Sequence, residues 1–201
     1  MKPKPTPIPS ASQASVKARS ISTYNLALTG VSAAVLAVIS QISIPLPTGV
    51  PITIQVFGIA LVGTILGWKK GCIATLVYIL LGCMGLPIFS NFSGGLQCLT
   101  GMTGGYILAW PVMAILSGIR IKHPNQMLSF LISVVLAVLG LMIVELFGAF
   151  QWSLLTSEMN FGAIMAYSFV AFIPKDILLT VLAVLAGNRI RKSLVKAGSL
   201  K

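Results

Sequence analysis

The sequence predicts an all-α integral membrane protein of six transmembrane helices, with both termini on the inner face and a Gly-rich re-entrant loop on the outer side between helices 3 and 4. Three observations predict it. The 201 residues are 56% hydrophobic and 8% charged, with a mean hydropathy of +0.97, where a soluble domain carries about 25% charged residues. Residues 20–68 and 71–119 contain no charged side chain, and each stretch has room for two spans of roughly 20 residues. The basic residues fall in four clusters that six helices bring to one side.

The elements follow in order. Met1 to Ser20 is rich in Pro and Ser, without an apolar core, and reads as a disordered cytoplasmic tail, so helix 1 inserts uncleaved. Helices are expected over 22–44, 52–68, 70–85, 104–120, 126–150 and 168–190, Pro and Gly clusters marking the turns between them. The membrane domain thus spans 21–192, and 193–201 forms a basic tail. Lys2, Lys4, Lys17, Arg19, Lys69, Lys70, Arg120, Lys122, Arg189, Arg191, Lys192, Lys196 and Lys201 then share one face. The positive-inside rule makes that face cytoplasmic in a multi-pass protein of a bacterial-type cell membrane. Lys175 is the single basic residue elsewhere.

The formal net charge of +11 does not imply nucleic acid, because the cations sit in short juxtamembrane loops without interleaved aromatics. Cys72, Cys83 and Cys98 read as small apolar residues, a Cys83–Cys98 bridge being the alternative. No metal-ligand spacing appears, and no set of nucleophile, base and orienter, so no catalytic residue is assigned. His123 beside Lys122 reads as a surface residue, and Glu158 as a solvated loop residue.

The outer connections differ from the inner ones. Ile42 to Gln55 carries Pro45, Pro47 and Pro51, which hold the backbone extended or turned. Helix 3 offers only about 15 residues, near 22 Å, too few for a core of about 30 Å. The following segment, Gly85 to Tyr106, is therefore expected to dip into the membrane, where irregular backbone survives only if protein or a cavity satisfies it. Gly101-Met-Thr-Gly-Gly-Tyr106 places Gly104 and Gly105 at a helix amino terminus, suited either to an anionic group or simply to tight packing.

Lys175 and Asp176 lie in an otherwise apolar run, where ionised groups mark function unless a cap role explains them. Pro174 fits the first turn of helix 6, where Asp176 would also complement the helix dipole. Adjacent helical residues project about 100° apart, so the two are not expected to form a simple intrahelical pair. Either Lys175 reaches the headgroups while Asp176 faces inward, or both line a pocket edge. Glu145 has two open roles, in function or in a hydrogen bond to a neighbouring helix. Gly30 with Ala34, and Ala33 with Ala37, make small-residue strips on helix 1 that suit either internal packing or a partner helix.

Ile44-Pro-Leu-Pro47, Val50-Pro-Ile-Thr-Ile-Gln55, Tyr78 with Gly82, Gly85-Leu-Pro87, Gly94-Gly95, Gly101-Met-Thr-Gly-Gly-Tyr106 and Phe172-Ile-Pro-Lys-Asp176 together resemble the BioY family, biotin-binding S components of energy-coupling factor (ECF) transporters. The likeness covers about residues 24–190 in the family's order. It implies a six-helix, non-enzymatic component that captures biotin outside and delivers it inward, alone or with a T component and two ATPase subunits. No cofactor is implied. The chain has no G-x-x-x-x-G-K-[ST] phosphate loop for ATP hydrolysis. Ala33 and Ala37 match the family's Ala-x-x-x-Ala docking strip. Met102 replaces a common Pro, Lys175 a Gly, Leu179 a Lys and Glu145 a Tyr.

Biotin presents a ureido ring with two N–H donors and one acceptor, an apolar thioether ring and a carboxylate. On that chemistry, Asp176 and Asn91 are expected to take the polar ring, Phe57, Phe89, Tyr106 and Trp110 to form the walls, and the Gly104 and Gly105 amides with Lys175 to take the carboxylate. Gln55 suits either end, Glu145 adds a second acid, and the orientation of biotin at Asp176 is left open. The rival readings are an S component for another small vitamin and a membrane-embedded enzyme.

Overall fold

The computed structural model describes residues 23–121, 123–157, 159–198 and 200. The expected disordered tail over 1–20, together with Lys122 and Glu158, lies outside them. The chain is mostly helical: α1 (Thr23–Ser40), α2 (Gln55–Leu66), α3 (Trp68–Cys83), a short α4 (Gln97–Thr100), α5 (Gly104–Gly118), α6 (Gln126–Leu155), α7 (Phe161–Ala171) and α8 (Ile173–Lys196). By length and composition α1 and α6 can each cross a membrane. The pair α7 and α8 can do so together across a 53° bend, while α2 and α5 are shorter apolar helices.

The connection between α1 and α2 is extended, as its prolines require, and a two-residue antiparallel ribbon forms within it. Its strands β1 (Ser43–Ile44) and β2 (Ile52–Thr53) pair Ser43 with Thr53 and Ile44 with Ile52. The three prolines stand outside the paired positions, since a proline cannot donate to a ladder. The ribbon trims the expected first helix to residue 40 and delays the second to Gln55.

The expected sixth helix over 168–190 is two helices. Pro174 lacks an amide hydrogen and its ring crowds the carbonyl four residues earlier, so α7 ends at Ala171 and Pro174 falls in the first turn of α8. Asparagines start α6 and α7. The Asn125 side chain accepts from the Met127 amide at 2.9 Å and that of Asn160 from Ala163 at 2.8 Å, the usual service of a polar N-cap.

The core gathers around α2, with Ile59, Ala60, Ala74, Tyr78, Met113, Ala114, Leu141 and Ala183 buried between neighbouring helices. The most extensive helix contact joins α5 to α6. Small residues allow it: a Cβ on Gly105 would stand 2.2 Å from the Phe147 carbonyl oxygen. Outside, the helices remain apolar, with Val38, Leu131, Val170 and Leu178 exposed. Apolar residues on both the inner and the outer face suit helices surrounded by lipid.

The segment from Gly85 to Thr103 is held by side chains rather than by a sheet or long helix. Gln41 Nε2 donates to the carbonyls of Ile88 (3.2 Å) and Phe89 (3.1 Å). Tyr78 Oη donates to Ile88 O at 3.0 Å, and Gln151 Nε2 to Leu99 O and Gly101 O at 2.7 and 2.8 Å. These bonds meet the demand that irregular backbone in an apolar setting be satisfied. Cys72, Cys83 and Cys98 are all free thiols, so the alternative of a Cys83–Cys98 bridge does not hold.

Candidate functional site

One end of the helix assembly encloses a cavity of about 610 Å³, counting its open mouth. The ribbon and the residue opening α2 supply Val50, Pro51, Thr53 and Gln55; the Gly-rich segment supplies Phe89, Ser90, Ser93, Cys98 and Thr103. The start of α5 adds Tyr106 and Trp110, the later part of α6 Val144 and Glu145, and the α7–α8 junction Phe172, Lys175 and Asp176.

The charged groups lie together. Asp176 is 4% exposed and Glu145 3% exposed. Lys175 Nζ donates to Asp176 Oδ1 and, at 2.7 Å, to the Thr53 carbonyl oxygen. The expectation that these neighbours would not pair is therefore corrected: the lysine's long, flexible stem folds back across the first turn of α8. Glu145 Oε2 is buried with no hydrogen-bond partner among the described residues. Among the described residues that line the cavity, Lys175 is thus the one cation beside two carboxyl groups, and it is bonded to only Asp176 of the two.

Phe89 and Trp110 of the lining belong to an aromatic cluster completed behind them by Tyr78. The rings of Tyr78 and Phe89 meet edge to face at 5.5 Å, Tyr78 lies 5.9 Å from Trp110, and Phe89 lies 6.2 Å from Trp110. Gln55 Nε2 reaches Tyr78 Oη at 3.3 Å, so the wall is fixed by hydrogen bonds as well as by packing. Gly82 makes room for it, because a Cβ there would meet the Phe89 ring at 2.2 Å.

Seven of the expected residues, Gln55, Phe89, Tyr106, Trp110, Glu145, Lys175 and Asp176, line this cavity. Four do not. The Asn91 side chain is bonded to Ser43 Oγ at 2.8 Å, on an exposed turn where Asn91 has φ 56°. Phe57 packs against the core instead. Gly104 and Gly105 are buried; a Cβ on Gly104 would meet Leu99 O and one on Gly105 Phe147 O, and the Gly104 amide donates to Gly101 O at 3.0 Å. Their smallness serves packing.

Sequence reading missed Thr53, Thr103 and Phe172 as lining residues. Thr53 carried a usable signal, since the proline-bounded segment that holds it leads straight into Gln55. On α1, Ala33 is buried and Ala37 packs against the core. Gly30 and Ala34 are exposed, and a Cβ on Gly30 would meet nothing within 4 Å.

A sequence profile described as the BioY family matches residues 11–196. This chain belongs to the BioY family. Among BioY relatives, the biotin transporter BioY of Thermotoga maritima is 36% identical over 163 residues, covering 81% of this chain and 93% of the relative. The probable biotin transporter BioY of Pyrococcus horikoshii is 33% identical over 178 residues, covering 88% and 98%. A crystal structure of the S-component for biotin from an ECF-type ABC transporter superposes with a TM-score of 0.72 at 28% identity, covering 84% of this chain and 90% of that one.

Proposed function

We propose that this chain is the substrate-capture component of a biotin uptake system, binding biotin in the cavity bounded by the ribbon, α5, α6 and α8. The observation that carries this reading is the Lys175–Asp176 pair, with its acid buried, lining one cavity together with Glu145 and the aromatic rings of Phe89, Tyr106 and Trp110. The names of the BioY relatives and of the biotin S-component support the choice of ligand.

The ureido ring enters first. Its two N–H groups are donors, and Asp176 and Glu145 offer buried carboxyl acceptors in this cavity. A carboxylate tail would be repelled by the same acids, and the charge of Lys175 is already engaged by Asp176. The tail therefore points away from them, toward the hydroxyl groups of Ser90, Ser93 and Thr103 in the same lining. Phe89, Trp110 and Tyr106 cover the thioether ring, exchanging apolar surface with it at about 25 cal/mol per Å².

In this reading the chain crosses the cell membrane six times with both termini inside, and the Gly85–Thr103 segment re-enters from the outer side to roof the site. Energy comes from partners, a T component and two ATPase subunits, because the sequence has no phosphate-binding loop of its own. The partner contacts α1 through its exposed Gly30 and Ala34 face, since Ala33 and Ala37 are spent on internal packing.

Titration of the purified chain with biotin tests the proposal, with thiamin and riboflavin as controls. Saturable binding below micromolar biotin, with neither control binding, is expected; no saturable biotin binding in that range overturns it. Biotin methyl ester tests the orientation and is expected to bind within fivefold of biotin. A hundredfold loss would place the carboxylate among the buried charges instead.

A further inference from the structure

Gln41, one residue beyond α1, does not line the cavity, yet it is bonded to the segment that does. Its Nε2 donates to the Ala37 carbonyl, in the last turn of α1, at 3.0 Å and to the Phe89 carbonyl at 3.1 Å. Its Oε1 accepts from the Phe92 amide at 3.0 Å. One side chain therefore ties α1 to both sides of the turn that runs from Phe89 to Phe92. An amide serves both bonds at once, whereas a carboxylate has no donor for the Phe89 carbonyl and an aliphatic chain has neither group.

The turn needs such a tie. Asn91 and Phe92 have φ of 56° and 53°, in the left-handed region that costs an L-residue energy and persists only where the surroundings enforce it. Asn91 is held by Ser43, whose Oγ donates to Asn91 Oδ1 at 2.8 Å and accepts from its amide at 3.3 Å. Phe92 is 72% exposed, so packing of its ring does little to hold it, and the bond from its amide to Gln41 takes that role.

Phe89, at the start of the same turn, is 2% exposed, and its ring fits the slot over Gly82, edge to face with Tyr78. Packing confines the ring to that slot, but the backbone that carries it hangs from Gln41. The neighbouring Ile88 carbonyl is differently served. It accepts from Tyr78 Oη and Ser40 Oγ as well as from Gln41 Nε2, so loss of the Ser40 donor leaves it satisfied.

We propose that Gln41 is a positioning residue for biotin: by fixing the Phe89 carbonyl and the Phe92 amide it sets the place of the Phe89 ring against the thioether ring. The inference rests on the reading of this cavity as the biotin site. Gln41 itself touches no ligand and acts through Phe89.

Isothermal titration of the purified full chain in detergent measures biotin binding by Gln41→Leu, Ser40→Ala, Phe89→Leu and the combination of Gln41→Leu with Phe89→Leu, and a thermal unfolding curve shows that each is folded. Gln41→Leu is expected to weaken biotin binding about tenfold, and Ser40→Ala to stay within twofold of the unaltered chain. On the Phe89→Leu background the Gln41 change is expected to cost less than twofold, because residues that act through one another are not additive. Desthiobiotin keeps the ureido ring and the carboxylate but lacks the sulfur, and needs no second variant: Gln41→Leu is expected to weaken its binding less than threefold. A folded Gln41→Leu chain that binds biotin within threefold of the original overturns the proposal. So does an undiminished loss on the Phe89→Leu background, or an equal loss for biotin and desthiobiotin. A Ser40→Ala loss as large as that of Gln41→Leu would show that the whole segment comes loose, and failure of Gln41→Leu to fold would make the residue structural; either overturns it too. Absence of saturable biotin binding by the unaltered chain is a separate failure, which removes the reading of the cavity and this proposal with it.

Discussion

Replacing Asp176 by alanine is the most direct test of the cavity's chemistry. The side chain is 4% exposed and bonded to Lys175, so removal deletes an acceptor from a buried position and leaves the lysine with its Thr53 contact. A hydrogen bond to a charged group contributes about 1.5–3 kcal/mol. At about 1.4 kcal/mol per tenfold, losing one such bond to the ureido ring weakens biotin binding roughly 10- to 100-fold. Asp176→Asn keeps one acceptor oxygen and should lose less. Isothermal titration of purified protein in detergent measures both variants, and a thermal unfolding curve without biotin checks that each is folded. A folded Asp176→Ala protein that binds biotin within threefold of the original would refute the reasoning and leave Asp176 as a residue that serves only the start of α8.

Other substitutions separate binding, packing and docking. Glu145→Leu removes a carboxyl oxygen that has no partner among the described residues; since burying an unpaired polar group is costly, it should raise or maintain the melting temperature while weakening biotin binding at least fivefold. A lower melting temperature together with unchanged affinity would assign Glu145 to structure instead. Gly105→Ala forces a Cβ towards the Phe147 carbonyl and should cost about 1–3 kcal/mol, lowering the melting temperature by roughly 2–4 °C per kcal/mol. An unchanged transition would mean that α5 and α6 can part without cost. Ala34→Trp should leave biotin binding intact and abolish partner-dependent uptake, whereas Ala33→Trp should destabilise the protein itself. Uptake by Ala34→Trp at the original rate would move the docking surface elsewhere.

The long charge-free stretches made the helices legible, and the prolines located the ribbon and the start of α8. The acids and Lys175 pointed to the cavity because ionised groups in apolar runs have few places to go. What stayed hidden was direction. In a soluble helix the polar face reveals the buried one, but α1 is apolar on every side, so Ala33 and Ala34 are indistinguishable in sequence even though one is buried and the other exposed. Asn91 was misdirected for a different reason: its left-handed backbone turns the side chain to Ser43, and no local pattern announces such a turn. Gly104 and Gly105 left anion binding and close packing equally open until the position of α6 decided for packing.

The two bonds of Lys175 differ in what they connect. Its link to Asp176 lies within a single helix, between consecutive residues, whereas its link to Thr53 crosses from α8 to the ribbon. A displacement that separates ribbon from helix would break the second and spare the first. The acid would then keep its counter-ion whether the mouth is narrow or wide, so admitting a ligand need not leave a bare carboxylate facing hydrocarbon. Neutralisation and closure are thereby assigned to separate bonds of one nitrogen.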